Sequence, residues 1–203
     1  PSTGHDATRD VIMDSLESIL DNALALGEEG RWEEMARTLR DALEQQPDDA
    51  YLLGWLGVAE QELDNDGAAY EYFRRCLDQE PLDPHLLALA GAGLAAFDDP
   101  DAESALRAAV LTGPDVPMAR LHYGAYLARE GLFDDALEHL HVAVELAPED
   151  PAVHGELATA LALKGDLVEA AATLETALDM APDDDWARVI FGLIQVERDE
   201  LEA

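Results

Sequence analysis

The chain has 203 residues, and its 45 Asp and Glu against 12 Lys and Arg give a formal charge of −33. That charge repels nucleic-acid phosphate and anionic lipid, which excludes both as direct ligands. At 48% hydrophobic and 28% charged residues the chain folds around a core rather than staying disordered, and no run of about 18 apolar residues offers a membrane span.

Only Lys164 is a lysine; the other basic residues are arginines. Acid excess with almost no lysine suits a salt-rich, halophilic cytoplasm, or a high-GC genome with an acidic partner-facing surface. Cys76 is the single cysteine, so no internal disulfide forms, and its place among small apolar positions reads as core. The chain opens at Pro1 without a Met, as a trimmed piece of a longer protein would. A cytoplasmic location is the expectation.

In chain order, a first helix opens near Ala7 to Asp10 and carries Val11, Ile12, Leu16, Ile19 and Leu20, with residues 1–13 extending it beyond the rest. Apolar spacings of three and four residues then give pairs of helices of roughly 12 to 15 residues, joined at Gly30, Asp64, Asp98, Gly131 and Gly165. Prolines that close the second helices fall at Pro47, Pro81, Pro114, Pro148 and Pro182, separated by 34, 33, 34 and 34 residues. The stretch from Gly131 to Pro148 recurs from Gly165 to Pro182, with Ala136 and Ala170, Leu140 and Leu174, and Ala143 and Ala177 in register. Five units therefore occupy 14–182, at about 16–49, 50–83, 84–116, 117–150 and 151–184, and a capping helix follows over 185–203.

These residues resemble the tetratricopeptide repeat family, whose pattern sets Trp, Leu-Gly, Tyr, Ala, Phe and Pro at fixed spacings. The second unit has Leu56-Gly57, Ala69, Phe73 and Pro81; the fourth has Tyr123-Gly124, Ala136, Leu140 and Pro148; the fifth has Leu157-Ala158, Ala170, Leu174 and Pro182. The third keeps Ala90-Gly91 and drops one residue around Phe97 to Pro100. The first is the weakest match, with Asn22-Ala23 and Met35, yet it retains Gly30, Trp32, Leu39, Ala42 and Pro47. Gly57, Gly91, Gly124 and Ala158 let a partner helix approach closely. The resemblance implies an all-α, right-handed α-solenoid of about five helix-turn-helix units plus a C-terminal helix.

It also implies that the first helix of every unit lines a shared concave groove where ligands bind. Residues of equal phase form three ladders there: Glu17, Tyr51, His85, Met118, Ala152, Trp186; Leu20, Gly54, Ala88, Leu121, Gly155, Val189; and Leu24, Val58, Ala92, Ala125, Thr159, Leu193. Only Glu17 among them carries a full charge, where composition alone places about five. The expected peptide-binding residues are Tyr51, Gly54, Val58, His85, Ala88, Ala92, Met118, Leu121, Ala125, Arg129, Gly155, Thr159 and Trp186, with Tyr51, Met118 and Trp186 as anchors. Arg129 is the one cation near them, so the groove suits an apolar or amphipathic segment and not an acidic terminus. The alternative is that the ladders are ordinary inter-helix packing, or are covered by the chain's own N-terminal segment. An Arg at Ala92 or Gly155 separates these readings, since only a core position would unfold.

No chemistry-bearing constellation accompanies the repeats. His139 and His141 stand two apart on a helix and point about 200° from one another, one packed and one solvent-facing. His85, His122 and His154 differ in phase and have no paired ligand. The acidic runs 98–101 and 183–185 lack the calcium-loop spacing and read as helix caps. Gly91-Ala92-Gly93 follows no strand and is repeat packing rather than a dinucleotide loop. The expectation is thus no catalytic residue, metal or cofactor: a protein-binding scaffold or adaptor, in the manner of a chaperone or assembly factor.

The runner-up is a regulatory or oligomerisation module of a larger protein. Its support is the last helix, where Trp186, Val189, Ile190, Phe191, Leu193, Ile194 and Val196 find polar relief mainly from Arg188, Gln195 and Arg198. Such a face either continues into further chain or meets a second copy, unless Phe191 and Gly192 pack on the fifth unit.

Overall fold

The computed structural model describes the backbone of residues 3–202 and the side chains of residues 16–197. Among the described residues there are eleven helices and no strand: α1 (Thr3–Glu28), α2 (Trp32–Leu43), α3 (Ala50–Glu62), α4 (Asp66–Asp78), α5 (Pro84–Ala95), α6 (Ala102–Thr112), α7 (Pro117–Arg129), α8 (Phe133–Leu146), α9 (Pro151–Lys164), α10 (Leu167–Met180) and α11 (Asp185–Glu202). The first helix opens several residues before the Ala7 to Asp10 start expected, since no proline inside 3–28 interrupts it. The side chains of Val11, Ile12 and Arg198 lie outside the described residues.

Each expected joint takes the left-handed conformation: φ is 70° at Gly30, 57° at Asp64, 54° at Asp98, 77° at Gly131 and 98° at Gly165. The residue that follows turns its N–H back onto the helix it leaves. Arg31 N bonds Leu26 O at 2.9 Å, Asn65 N bonds Glu60 O at 2.9 Å, Leu132 N bonds Leu127 O at 2.9 Å and Asp166 N bonds Leu161 O at 2.9 Å. These are Schellman closures, which satisfy carbonyls that the helix end would leave bare. At the other ends, Asp49 accepts from Leu52 N at 3.0 Å and Asp150 from Ala152 N at 2.9 Å, while Pro117 and Pro151 sit where a helix needs no N–H.

The chain forms two compact units, Pro1–Leu82 with Leu89–Ala105, and Asp83–Ala88 with Leu106–Ala203. In the first, α1 packs on α2, α2 on α3 and α3 on α4. Its centre is Phe73, 1% exposed, whose ring lies between two glycines. A Cβ on Gly57 would stand 2.6 Å from Phe73 Cε1, and one on Gly93 would meet the ring's other edge more closely still. Buried Cys76 donates its S–H to Ala50 O at 3.3 Å, and burial pushes its thiol up to about 12, so it is packing and not a reactive thiol.

Glu60, 3% exposed, accepts from Arg40 Nε at 3.1 Å and from Asn65 Nδ2 at 2.9 Å, tying α2 to α3 and its turn. Asp99 serves the α4 side likewise, accepting from Tyr70 Oη at 2.9 Å and Arg74 Nη1 at 3.3 Å. Against the desolvation of partial burial, the Asp101 backbone N–H at 2.9 Å, the Tyr70 hydroxyl and the Arg74 charge hold the Asp99 carboxyl below its usual range.

In the second unit α7 packs on α8, α8 on α9, α9 on α10 and α10 on α11. Ala136, Leu140, Leu157, Ala158, Leu161 and Leu174 form its core, joined by Ala187 and Ile194 of α11. Gly124 admits Leu140, whose Cγ would stand 2.7 Å from a Cβ there. Ile190 and Phe191 lean on the same core, but Gly192 is exposed and a Cβ on it would meet nothing within 4 Å. Phe191 therefore packs on the fifth unit and Gly192 does not. Lys164 Nζ reaches across to Asp134 Oδ1 at 2.9 Å and ties the end of α9 to the start of α8.

Candidate peptide-binding surface

The first helix of each hairpin spends one stripe on its partner helix and keeps another facing away. In the first unit that outward stripe builds a trough of about 530 Å³ between α1 and α3. Leu16, Leu20 and Leu24 supply one wall at successive turns of α1, Tyr51 and Trp55 the other, and Glu17 and Asp21 stand beside the leucines. Tyr51 is 41% exposed. The trough is set by packing behind it: Ala23 is fully buried, and a Cβ on Gly27 would come 3.0 Å from Trp32 Cζ3 and 3.1 Å from Met35 Sδ, so α1 is pressed onto α2. Of the expected residues of this unit, only Tyr51 lines the trough; Val58 and Ala92 are half-buried and Gly54 is buried.

In the second unit Gly155 lies under the indole of Trp186, and a Cβ there would stand 3.3 Å from Cζ3. Trp186 nevertheless keeps 48% of its surface. Thr159 donates from Oγ1 to Gly155 O at 2.9 Å. Met118, Leu121 and Ala125 are half-buried on α7, which packs on α9, and Arg129 is exposed one turn further along. His85 is exposed with its Nδ1 3.4 Å from Asp83 Oδ1, whereas Ala88 is fully buried. Along α11, Val189 and Leu193 are each 61% exposed and Val196 57%, which with Trp186 makes one apolar stripe.

Three residues on these faces escaped the sequence ladders. Trp55, His122 and Glu156 stand four residues after Tyr51, Met118 and Ala152, a phase the three ladders did not sample. Burial pushes the His122 imidazole down and the Glu156 carboxyl up, the latter opposed by Arg129. Both shifts favour the uncharged forms.

His139 and His154 are engaged by neighbouring groups. His154 Nε2 bonds Pro148 O at 2.9 Å. His139 meets the Tyr123 ring at 4.8 Å, tilted by 52°, and accepts from Arg120 Nη1 at 3.0 Å; desolvation first and the Arg120 charge second push its pKa down, as the neutral acceptor ring requires. His141 is exposed. Among the described residues no three His, Cys, Asp or Glu come together to hold a metal ion, and no helix is long and apolar enough to cross a membrane.

The tetratricopeptide repeat family matches residues 20–84 and 87–151, and a second tetratricopeptide repeat family matches 127–190. No curated protein matches the chain. Among solved structures, a thermophilic TPR protein of Thermus thermophilus is 25% identical with a TM-score of 0.73, over 89% of this chain and 98% of that one. YrrB, a TPR protein with an unusual peptide-binding site, is 22% identical with a TM-score of 0.56, over 88% of this chain and 96% of that one. PilW, a type IV pilus biogenesis factor, is 21% identical with a TM-score of 0.69, over 82% of this chain and 77% of that one. The last two likenesses concern the fold alone. The proteins of this family are generally non-catalytic scaffolds for other proteins. With helical hairpins, left-handed joints and small-residue seams recurring as that family requires, the chain belongs to the tetratricopeptide repeat family.

Proposed function

We propose that this chain is a non-catalytic adaptor or assembly factor that holds an apolar or amphipathic segment of a partner protein along the outward stripes of its first helices. The observation that carries this reading is the α1–α3 trough, an open apolar surface on a chain that is otherwise saturated with charge. Its aromatic wall suits it to anchor a side chain, because Tyr51 and Trp55 offer large contact area at little conformational cost. YrrB is described as having a peptide-binding site, but at 22% identity the support here comes from the trough itself.

Panning a displayed peptide library on the protein in molar KCl tests this. The expected result is enrichment of sequences with apolar residues at regular spacing, lost when the exposed Tyr51 is replaced by Ala and weakened by Ala92→Arg at a half-buried position. No enriched pattern, or one indifferent to both substitutions, would remove the reading. Gly155→Arg is a poor substitute for Ala92→Arg, since Gly155 is covered by Trp186.

The exposed stripe of Trp186, Val189, Leu193 and Val196 favours a second reading, self-association through α11. A light-scattering mass that stays monomeric in molar KCl disposes of it.

A further inference from the structure

We infer that the α1–α3 trough receives a cationic amphipathic helix of a partner protein. The inference rests on the peptide-holding reading above and adds the conformation and charge of the segment.

The conformation follows from hydrogen bonding. Leu16, Leu20 and Leu24 face the ligand over eight residues of helix, about 12 Å at 1.5 Å per residue. An extended strand laid there would bury its N–H and C=O groups against leucine methyls, each at the cost of a lost hydrogen bond. A helix satisfies its own backbone and offers apolar side chains at i, i+3, i+4 and i+7, which span about 10 Å and match the wall.

The charge follows from what flanks the trough. Glu17 and Asp21 are exposed, one turn apart on α1, and no ion pair among the described residues engages either. Like charges at that spacing repel one another, so the pair is relieved by a cation placed between them. A helix seated on the leucines carries its flanking residues past these two carboxylates. Lysines or arginines there gain two ion pairs, and acidic residues meet two repulsions on a chain of charge −33.

The probe is a fluorescein-labelled helical peptide of about 18 residues built from Leu, Ala and Lys, with a twin in which Gln replaces every Lys. Anisotropy titrations use the parent, Tyr51→Ala, the pair Glu17→Lys with Asp21→Lys, and a control pair Glu138→Lys with Glu145→Lys. The control changes the net charge equally at exposed positions of α8. The Lys peptide is expected to bind more tightly than its twin, and Tyr51→Ala to weaken both. Reversal at Glu17 and Asp21 should weaken the Lys peptide about three- to tenfold, the range of two exposed ion pairs, and the control less than about twofold.

Equal loss with both charge pairs means diffuse attraction and overturns the inference. Equal affinity for the two peptides, lost in Tyr51→Ala, overturns the cationic preference while leaving the peptide-holding reading intact. If neither peptide binds, or Tyr51→Ala changes nothing, both readings fall. A dimer that Tyr51→Ala returns to monomer gives the trough to a second copy and also overturns the inference. Should Tyr51→Ala lose its helical circular dichroism, Leu20→Gln takes its place.

Discussion

Two regions use glycine at a helix contact and use it differently. In the α3–α4–α5 seam of the first unit, Gly57 and Gly93 clasp a Phe73 ring that is 1% exposed and has no room to shift. On the α9–α11 face of the second unit, Gly155 underlies a Trp186 ring that is 48% exposed and free on its outer side. The same residue type is obligatory where its neighbour is enclosed and permissive where its neighbour can swing. That distinction separates the interior of the repeats from the surface they offer a partner.

The largest effect is expected at the seam. In Gly57→Ala the added methyl stands 2.6 Å from Phe73 Cε1, and either the ring or the helix must move. Overpacking of this kind costs about 1–3 kcal/mol, partly offset by the roughly 1 kcal/mol that Ala gains over Gly in a helix. Urea unfolding should show a net loss. Combining it with Phe73→Leu should recover part of that loss, because the two changes share one space. A Gly57→Ala protein as stable as the parent would mean the seam is loosely packed, and the comparison would collapse.

How far these regions were legible differs in the same way. The seam was visible in part: Gly57, Gly91, Gly124 and Ala158 stand at one phase of successive hairpins, whereas the Gly93 that closes on Phe73 lies two residues past that phase, and the joints were placed at Gly30, Gly131 and Gly165. Asp64 and Asp98 filled the same role because a short polar side chain tolerates that conformation. The outward face was less legible. Three ladders at phases i, i+3 and i+7 found Tyr51 and Trp186 but skipped i+4, and with it Trp55, His122 and Glu156. Recurrence reports what every repeat shares, whereas a binding surface consists of what individual repeats do not share. The ties of Arg40 to Glu60 and Lys164 to Asp134 were equally invisible, being single pairs with no periodic counterpart.

A smaller effect is expected on the face at Glu156. Burial raises its carboxyl pKa, and the opposing Arg129 charge does not cancel that rise. A carboxyl with a raised folded pKa binds its proton more tightly in the folded state. Its contribution is therefore lost as pH climbs from the ordinary carboxylate value, about 4.3, to the raised one. Glu156→Gln removes the charge and should melt higher than the parent at pH 7, the difference vanishing below about pH 4. If the variant melts lower at pH 7, the Arg129 attraction outweighs desolvation and the face is electrostatically stabilised.

The smallest change is expected at Gly155, read against Gly192. Both are helical glycines of the second unit, and Gly192 is exposed with nothing within 4 Å of an added Cβ. Gly192→Ala therefore reports the propensity gain alone, about 0.5–1 kcal/mol of added stability. Gly155→Ala receives the same gain but places its methyl 3.3 Å from Trp186 Cζ3, a contact the ring relieves by tilting into solvent. Its stability should stay within about 0.5 kcal/mol of the parent while Trp186 emission shifts to the red, since a tilted ring meets more water. A loss as large as that of Gly57→Ala would show that Trp186 is held as firmly as Phe73. The α9–α11 face would then be a second seam, leaving the α1–α3 trough as the surface open to a partner.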